Sequence, residues 1–239
     1  MRVDRAADIF FACGAPETGK SHRVKELLEQ QRPDRLIVVD PDGEYEACGY
    51  LHTDLGELAR ATAYATFSTR FKPHHDRALA EKQFAFICRL VRWHADPQPG
   101  QTPPPRVGPI TLAVDELADL VGPSFRETPE SWQWVIKRGR KYGVTVRAAS
   151  QRPEQIDKTI FSLASAIRVG RLNELEGLRK LAGAINVPVA ELQALTGIEY
   201  LERDKRTGQL TRGPAAVAAR AAAGRARQEK PGRAPRPRK

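Results

Sequence analysis

The chain has 239 residues, 41% hydrophobic and 28% charged, which suits one soluble domain with a single core and excludes a wholly disordered or membrane-embedded polypeptide. No uncharged apolar run approaches the roughly 18 residues of a bilayer span, and the charged start is not a signal-peptide core, so a cytoplasmic protein is expected. The net charge of +10 is concentrated near the end: residues 212–239 hold nine Lys or Arg and one acid, Glu229, a pattern that attracts polyanions through counterion release or simply solubilises the chain. Cys13, Cys48 and Cys88 form no CxxC pair, so reduced thiols are expected rather than a zinc site or disulfide framework.

In chain order, residues 8–13 (DIFFAC) read as a short apolar strand, followed by a glycine-rich loop and a helix over 20–31 with Val24, Leu27 and Leu28 on one face. Arg32-Pro33-Asp34 breaks the helix. Residues 36–40 (LIVVD) are a near-continuous apolar run of the kind found in parallel strands buried on both faces. A weaker strand is predicted at 62–67 and a helix at 79–94. Residues 96–109 contain six prolines and must be a loop. Strands at 110–114 and 144–149 flank a helix at 129–142, and further strand and helix patterns occupy 166–169 and 173–182. Alternating β and α elements imply an α/β fold, a mostly parallel sheet flanked by helices. The expected division is one folded α/β domain over 1–213 and a disordered basic tail over 214–239, with an Ala-rich helix possible at 214–223 on binding.

Gly14, Ala15, Pro16, Glu17, Thr18, Gly19, Lys20 and Ser21 match GxxxxGK[ST] between a strand and a helix, the context that gives this motif its meaning. Backbone N–H groups of such a loop wrap a phosphate. Lys20 bridges the β- and γ-phosphates of ATP in this arrangement, and the Ser21 hydroxyl ligates Mg²⁺. The nucleotide-binding set runs on to His22. The strand at 110–114 ends in Asp115 and Glu116, where open α/β sheets place ligands. Asp115 is read as the Mg²⁺ carboxylate, linked through water, and Glu116 as the group that polarises the attacking water. Gln151, after the strand at 144–149, is the candidate γ-phosphate sensor. His74-His75-Asp76 has metal-ligand residue types without further ligands around it, so no metal site is expected there. Trp132 and Trp134 read as a packed helix face rather than a base-stacking platform.

Four segments together, GAPETGKS, VVDPDGEY, AVDEL and RGRKYGVTVRAASQRP, resemble the HerA/FtsK superfamily of hexameric DNA-translocating ATPases. The resemblance covers about residues 10–183. It implies a RecA-like (ASCE) P-loop NTPase core, a homo-hexameric ring and an arginine donated in trans, which by position is Arg140 with Arg138 as alternate. Asp40 and Glu44 match acidic positions of the family without an assigned role. Only thirteen residues precede Gly14, which leaves no room for the N-terminal barrel of HerA. The chain is therefore similar to the compact genome-packaging ATPases of internal-membrane-containing bacteriophages. That resemblance implies a double-stranded DNA translocase that packages a viral genome into a preformed capsid, working with capsid-vertex or portal proteins in the host cytoplasm or virion. The alternatives are a HerA-like role in DNA-end processing or transfer, and an ATP-switched nucleic-acid-binding protein that does not translocate.

Overall fold

The computed structural model describes residues 7–124 and 127–213. The predicted tail at 214–239 lies outside them. In chain order the elements are β1 (Ile9–Cys13), α1 (Lys20–Gln31), β2 (Arg35–Val39), β3 (Tyr50–His52), α2 (Leu55–Ala61), β4 (Phe67–Phe71), α3 (Arg77–Ala95) and β5 (Ile110–Val114). They continue with α4 (Glu130–Arg138), β6 (Val144–Ser150), α5 (Lys158–Leu163), β7 (Ala166–Gly170), α6 (Leu175–Ile185), α7 (Val189–Gln193), β8 (Tyr200–Asp204) and β9 (Leu210–Gly213).

All nine strands form one sheet in the order β3-β4-β2-β5-β6-β1-β7-β8-β9. Every pairing from β3 to β7 is parallel, and β7, β8 and β9 pair antiparallel. β6 thus separates β1, which leads into the glycine-rich loop, from β5, which ends at the two carboxylates. The parallel strands all deliver their C-terminal residues to one edge of the sheet, where the chemistry-bearing residues gather.

Strand periodicity divides the core. Phe10 and Ala12 of β1 join Val24 and Leu28 of α1 and Val38 of β2 on one face. Ile9, Phe11 and Cys13 point the other way, into a larger core with Phe84, Ile87 and Val91 of α3, Trp132 and Val135 of α4, and Leu181 of α6. This alternation is why β1, β2 and β5 are buried throughout and mostly apolar: both faces are covered. Trp132 is a core residue, with its ring 5.3 Å from that of Phe84. Trp134 is only half-buried, stacked on Tyr142. Cys13 and Cys88 are buried free thiols and Cys48 is half-buried.

Two expectations need correction. The strand predicted at 62–67 begins only at Phe67, because the chain first leaves α2 through a turn in which the Thr62 and Ala63 N–H groups donate to the Leu58 and Arg60 carbonyls. The helix predicted at 129–142 ends at Arg138 and tightens into a 3-10 turn over Gly139–Tyr142. Gly139 permits this close return: a Cβ there would lie 2.9 Å from the Val144 Cβ. Among the described residues no helix is long and apolar enough to cross a membrane.

The proline-rich segment is fastened from beneath. Arg35, 1% exposed, donates from its guanidinium to the Pro109 carbonyl at 2.9 Å and 2.6 Å, and to the Arg106 carbonyl. Arg106 also reaches Asp34 at 3.3 Å. An exposed loop that lacks regular structure is in this way locked to the first residue of β2.

Candidate functional site

The loop between β1 and α1 is tied at its start to the two neighbouring strands. The Gly14 N–H donates to the Ser150 carbonyl and the Ala15 N–H to the Arg171 carbonyl, which links the loop to the ends of β6 and β7. A Cβ on Gly14 would sit 2.5 Å from Thr18 Oγ1. Gly19, at φ +81°, supplies the left-handed turn that starts α1. Glu17 adopts the same region at φ 62°, an uncommon state for a residue with a side chain. Pro16 and Glu17 are exposed at the tip and His22 is exposed on the first turn of α1. Thr18 is buried, and its hydroxyl donates to the Ala15 carbonyl at 2.8 Å.

Lys20 is 8% exposed and its ammonium donates to that same carbonyl at 2.9 Å. Burial holds its pKa below the ordinary lysine value, against the upward pull of Glu116 and Asp115 among others. A lysine so placed has an uncommitted share of hydrogen-bonding capacity over the loop, which suits an anion.

Ser21 Oγ donates to Asp115 Oδ2 at 3.2 Å. Burial, reinforced by the charge of Glu44, pushes the Asp115 carboxyl up to about 6, while the Ser21 hydroxyl opposes the shift. Two oxygen ligands side by side, one a carboxylate largely stripped of water, form a donor set that fits a hard divalent cation such as Mg²⁺.

Glu116 has left-handed backbone, φ 48°. Its carboxylate turns over the end of β6, where it accepts from Ser150 Oγ at 2.8 Å and from the Gln151 N–H at 3.2 and 3.0 Å. The Arg152 guanidinium lies 3.9 Å from Glu116 Oε1 and also pairs with Asp119. Burial raises the Glu116 pKa and these donors lower it in part. Gln151 therefore enters this cluster through its backbone, while its side chain is exposed.

The sequence reading missed Ser150 and Arg152. Both stand in the quoted SQRP segment, but only the interposition of β6 between β1 and β5 shows that they reach Glu116. Asp40 acquires a structural role: fully buried, it accepts from the Glu44 and Tyr45 N–H groups and from Arg70 at 3.0 Å, which clasps the DPDGEY turn. Arg138 and Arg140 are exposed at the opposite end of β6, a seven-residue strand or roughly 20 Å from Gln151. They do not reach the Lys20 cluster of their own chain.

No family model matches the chain. By structure it is similar to the genome packaging NTPase B204 of Sulfolobus turreted icosahedral virus 2, solved with ATP-gammaS: the TM-score is 0.67 at 16% identity, over 88% of this chain and 98% of that one. It is also similar to VirB4 of Thermoanaerobacter pseudethanolicus, with TM-score 0.60, 15% identity, and 90% and 92% of the two chains covered. Both likenesses establish the P-loop NTPase fold. By sequence it is 32% identical over 193 residues to Protein P9 of Pseudoalteromonas phage PM2, an alignment that covers 77% of this chain and 78% of that protein. With that identity over more than two thirds of each protein, the chain belongs to the family of Protein P9 of Pseudoalteromonas phage PM2.

Proposed function

We propose that this chain is a motor that hydrolyses ATP to translocate double-stranded DNA, packaging a viral genome into a preformed capsid as a homo-hexameric ring. The observation that carries the reading is the convergence of Lys20, Ser21, Asp115 and Glu116 at one edge of the sheet, in a chain that belongs to a phage protein family. In this reading the N–H groups of residues 14–21 wrap the nucleotide phosphates, and Lys20 moves from the Ala15 carbonyl onto the β- and γ-phosphates. Ser21 and Asp115 would hold Mg²⁺, which when bound neutralises charge on the phosphate oxygens. Glu116, backed by Ser150 and the Gln151 N–H, orients a water against the γ-phosphate and takes its proton. The Gln151 side chain, free at the tip of β6, senses the γ-phosphate.

The distance of Arg140 from the Lys20 cluster supports a site completed between subunits, with Arg140 of one copy stabilising charge on the phosphate held by the next. Arg138 is the alternate. Capsid-vertex or portal proteins are the expected further partners, met in the host cytoplasm or in the virion. The likeness to the genome packaging NTPase B204 supports the viral role over DNA-end processing.

Triplex displacement from duplex DNA tests translocation: an ATP-dependent release is expected, and turnover without release would leave an ATP-driven switch. Mixing tests the shared site. Lys20→Ala and Arg140→Ala chains, each inactive alone, should recover part of the turnover together. No recovery at any ratio would overturn the trans assignment.

A further inference from the structure

A second concave feature lies on the same edge of the sheet, beyond the ends of β2 and β4. It is a cleft of about 490 Å³ between residues 72–77 and residues 119–120. Lys72, His74, His75 and Arg77 line it, and Asp119 is the one acidic residue in the lining. Lys72, His74 and His75 are exposed, and Lys72 has no acidic partner among the described residues. The His74 and His75 rings pack together, 4.1 Å between centroids, and His74 Nδ1 accepts from the Asp76 N–H, which leaves Nε2 to carry the proton as a donor. Arg77 is held by Glu81 and by the Val121 carbonyl.

The nearby acids are already engaged. Asp76 accepts from the Leu79 N–H and so closes the start of α3, Glu81 pairs with Arg77, and Asp119 pairs with Arg152. The cleft thus presents one unopposed cation, Lys72, beside the imidazoles of His74 and His75 and the Glu81-paired Arg77, at the start of α3, where Asp76 already caps the backbone. Side-chain cations without a shaped pocket for a base grip a polyanion by its phosphates, irrespective of sequence.

We propose that this cleft binds the phosphate backbone of duplex DNA and that Arg152 reports its occupancy to Glu116. The proposal rests on the DNA-motor reading above and adds a location and a coupling. Arg152 is shared between Asp119 on the cleft wall and Glu116 in the hydrolytic cluster. A phosphate entering beside Asp119 competes for that guanidinium and draws it towards the cleft. Glu116 then loses one of the contacts that hold it over the end of β6 and is freed to turn towards the attacking water, so hydrolysis rises when DNA is held.

The test uses the full chain, a fluorescein-labelled blunt duplex titrated over a range of salt, and ATP turnover with and without that duplex. Lys72→Glu combined with His75→Glu is expected to weaken duplex binding at least about tenfold and to lower the slope of log affinity against log salt by about one to two. Lys72→Arg should retain wild-type binding. Asp119→Asn is expected to keep or gain duplex affinity while its ratio of duplex-stimulated to duplex-free turnover falls towards one. Unchanged affinity and slope in the double variant would overturn the cleft, and an unchanged ratio in Asp119→Asn would overturn the coupling. A wild-type chain that hydrolyses ATP with no binding of the duplex and no response to it would overturn the motor reading as well.

Discussion

The two edges of the parallel sheet use polar side chains in opposite ways. At the C-terminal edge polar groups face one another: Ser21 on Asp115, Ser150 on Glu116, Arg152 between Glu116 and Asp119. At the N-terminal edge they are consumed by the fold. Arg35 is spent on the Pro109 and Arg106 carbonyls, and Arg147, 1% exposed, pairs with Asp8. The difference teaches that burial of a charge does not mark chemistry; what marks it is a partner set that a ligand can replace. A serine hydroxyl or a lysine on a carbonyl can be exchanged for phosphate or cation, whereas an arginine closing backbone carbonyls leaves orphaned acceptors if it moves.

The contrast fails most plainly if a C-terminal-edge change alters the fold, or if loss of a buried N-terminal-edge arginine such as Arg35 stops hydrolysis. Lys20→Ala is expected to reduce ATP turnover by more than about a hundredfold, in line with removal of a transition-state donor, with Tm within a few degrees of wild type. Arg35→Met is the mirror case. It should destabilise the chain by about 2–4 kcal/mol in denaturant unfolding, since buried carbonyls lose their donor, while the protein that remains folded keeps most of its turnover.

His94 sharpens the contrast further. It is buried on α3 against Phe67 and Trp93, and neither ring nitrogen has a hydrogen-bond partner. Burial, helped by the Arg35 charge, lowers its pKa to about 4. Above the ordinary histidine value, both folded and unfolded chains hold the ring neutral and it contributes no pH dependence. Below that value the unfolded chain takes up a proton that the folded chain refuses until about 4, so stability falls with pH in that window by up to roughly 3 kcal/mol. His94→Phe should flatten this part of the profile, read as Tm against pH. The smallest effect is expected for Ser150→Ala: a loss of one hydrogen bond to Glu116, or about 1 kcal/mol, seen as a roughly fivefold lower kcat with KM for ATP nearly unchanged. A thermal shift without a change in kcat would reduce Ser150 to a fastening residue.

Much of this was legible in the sequence, for local reasons. The span of α1 follows from a 3.6-residue period started by a glycine-rich motif, and β5 from an apolar run halted by Asp115-Glu116. What was not legible depends on what lies beside what. Ser150 gains its role only because β6 is interposed between β1 and β5. Asp40 matches an acidic position of the family without an assigned role, and the fold occupies it with two backbone N–H groups and Arg70. The β8–β9 hairpin was missed because its strands carry charges on half-exposed positions. The Thr207-Gly208 turn, with Gly208 at φ +74°, was the available cue.

The left-handed backbone of Glu116 has an evolutionary side. A non-glycine residue in that region costs about 1 kcal/mol or more, so the position is a standing debit against stability. Glycine or asparagine would relax it and yield a sturdier chain without the carboxylate proposed to activate water. A population selected only for thermal endurance would drift away from glutamate at 116, and one selected for turnover would hold it there despite the strain.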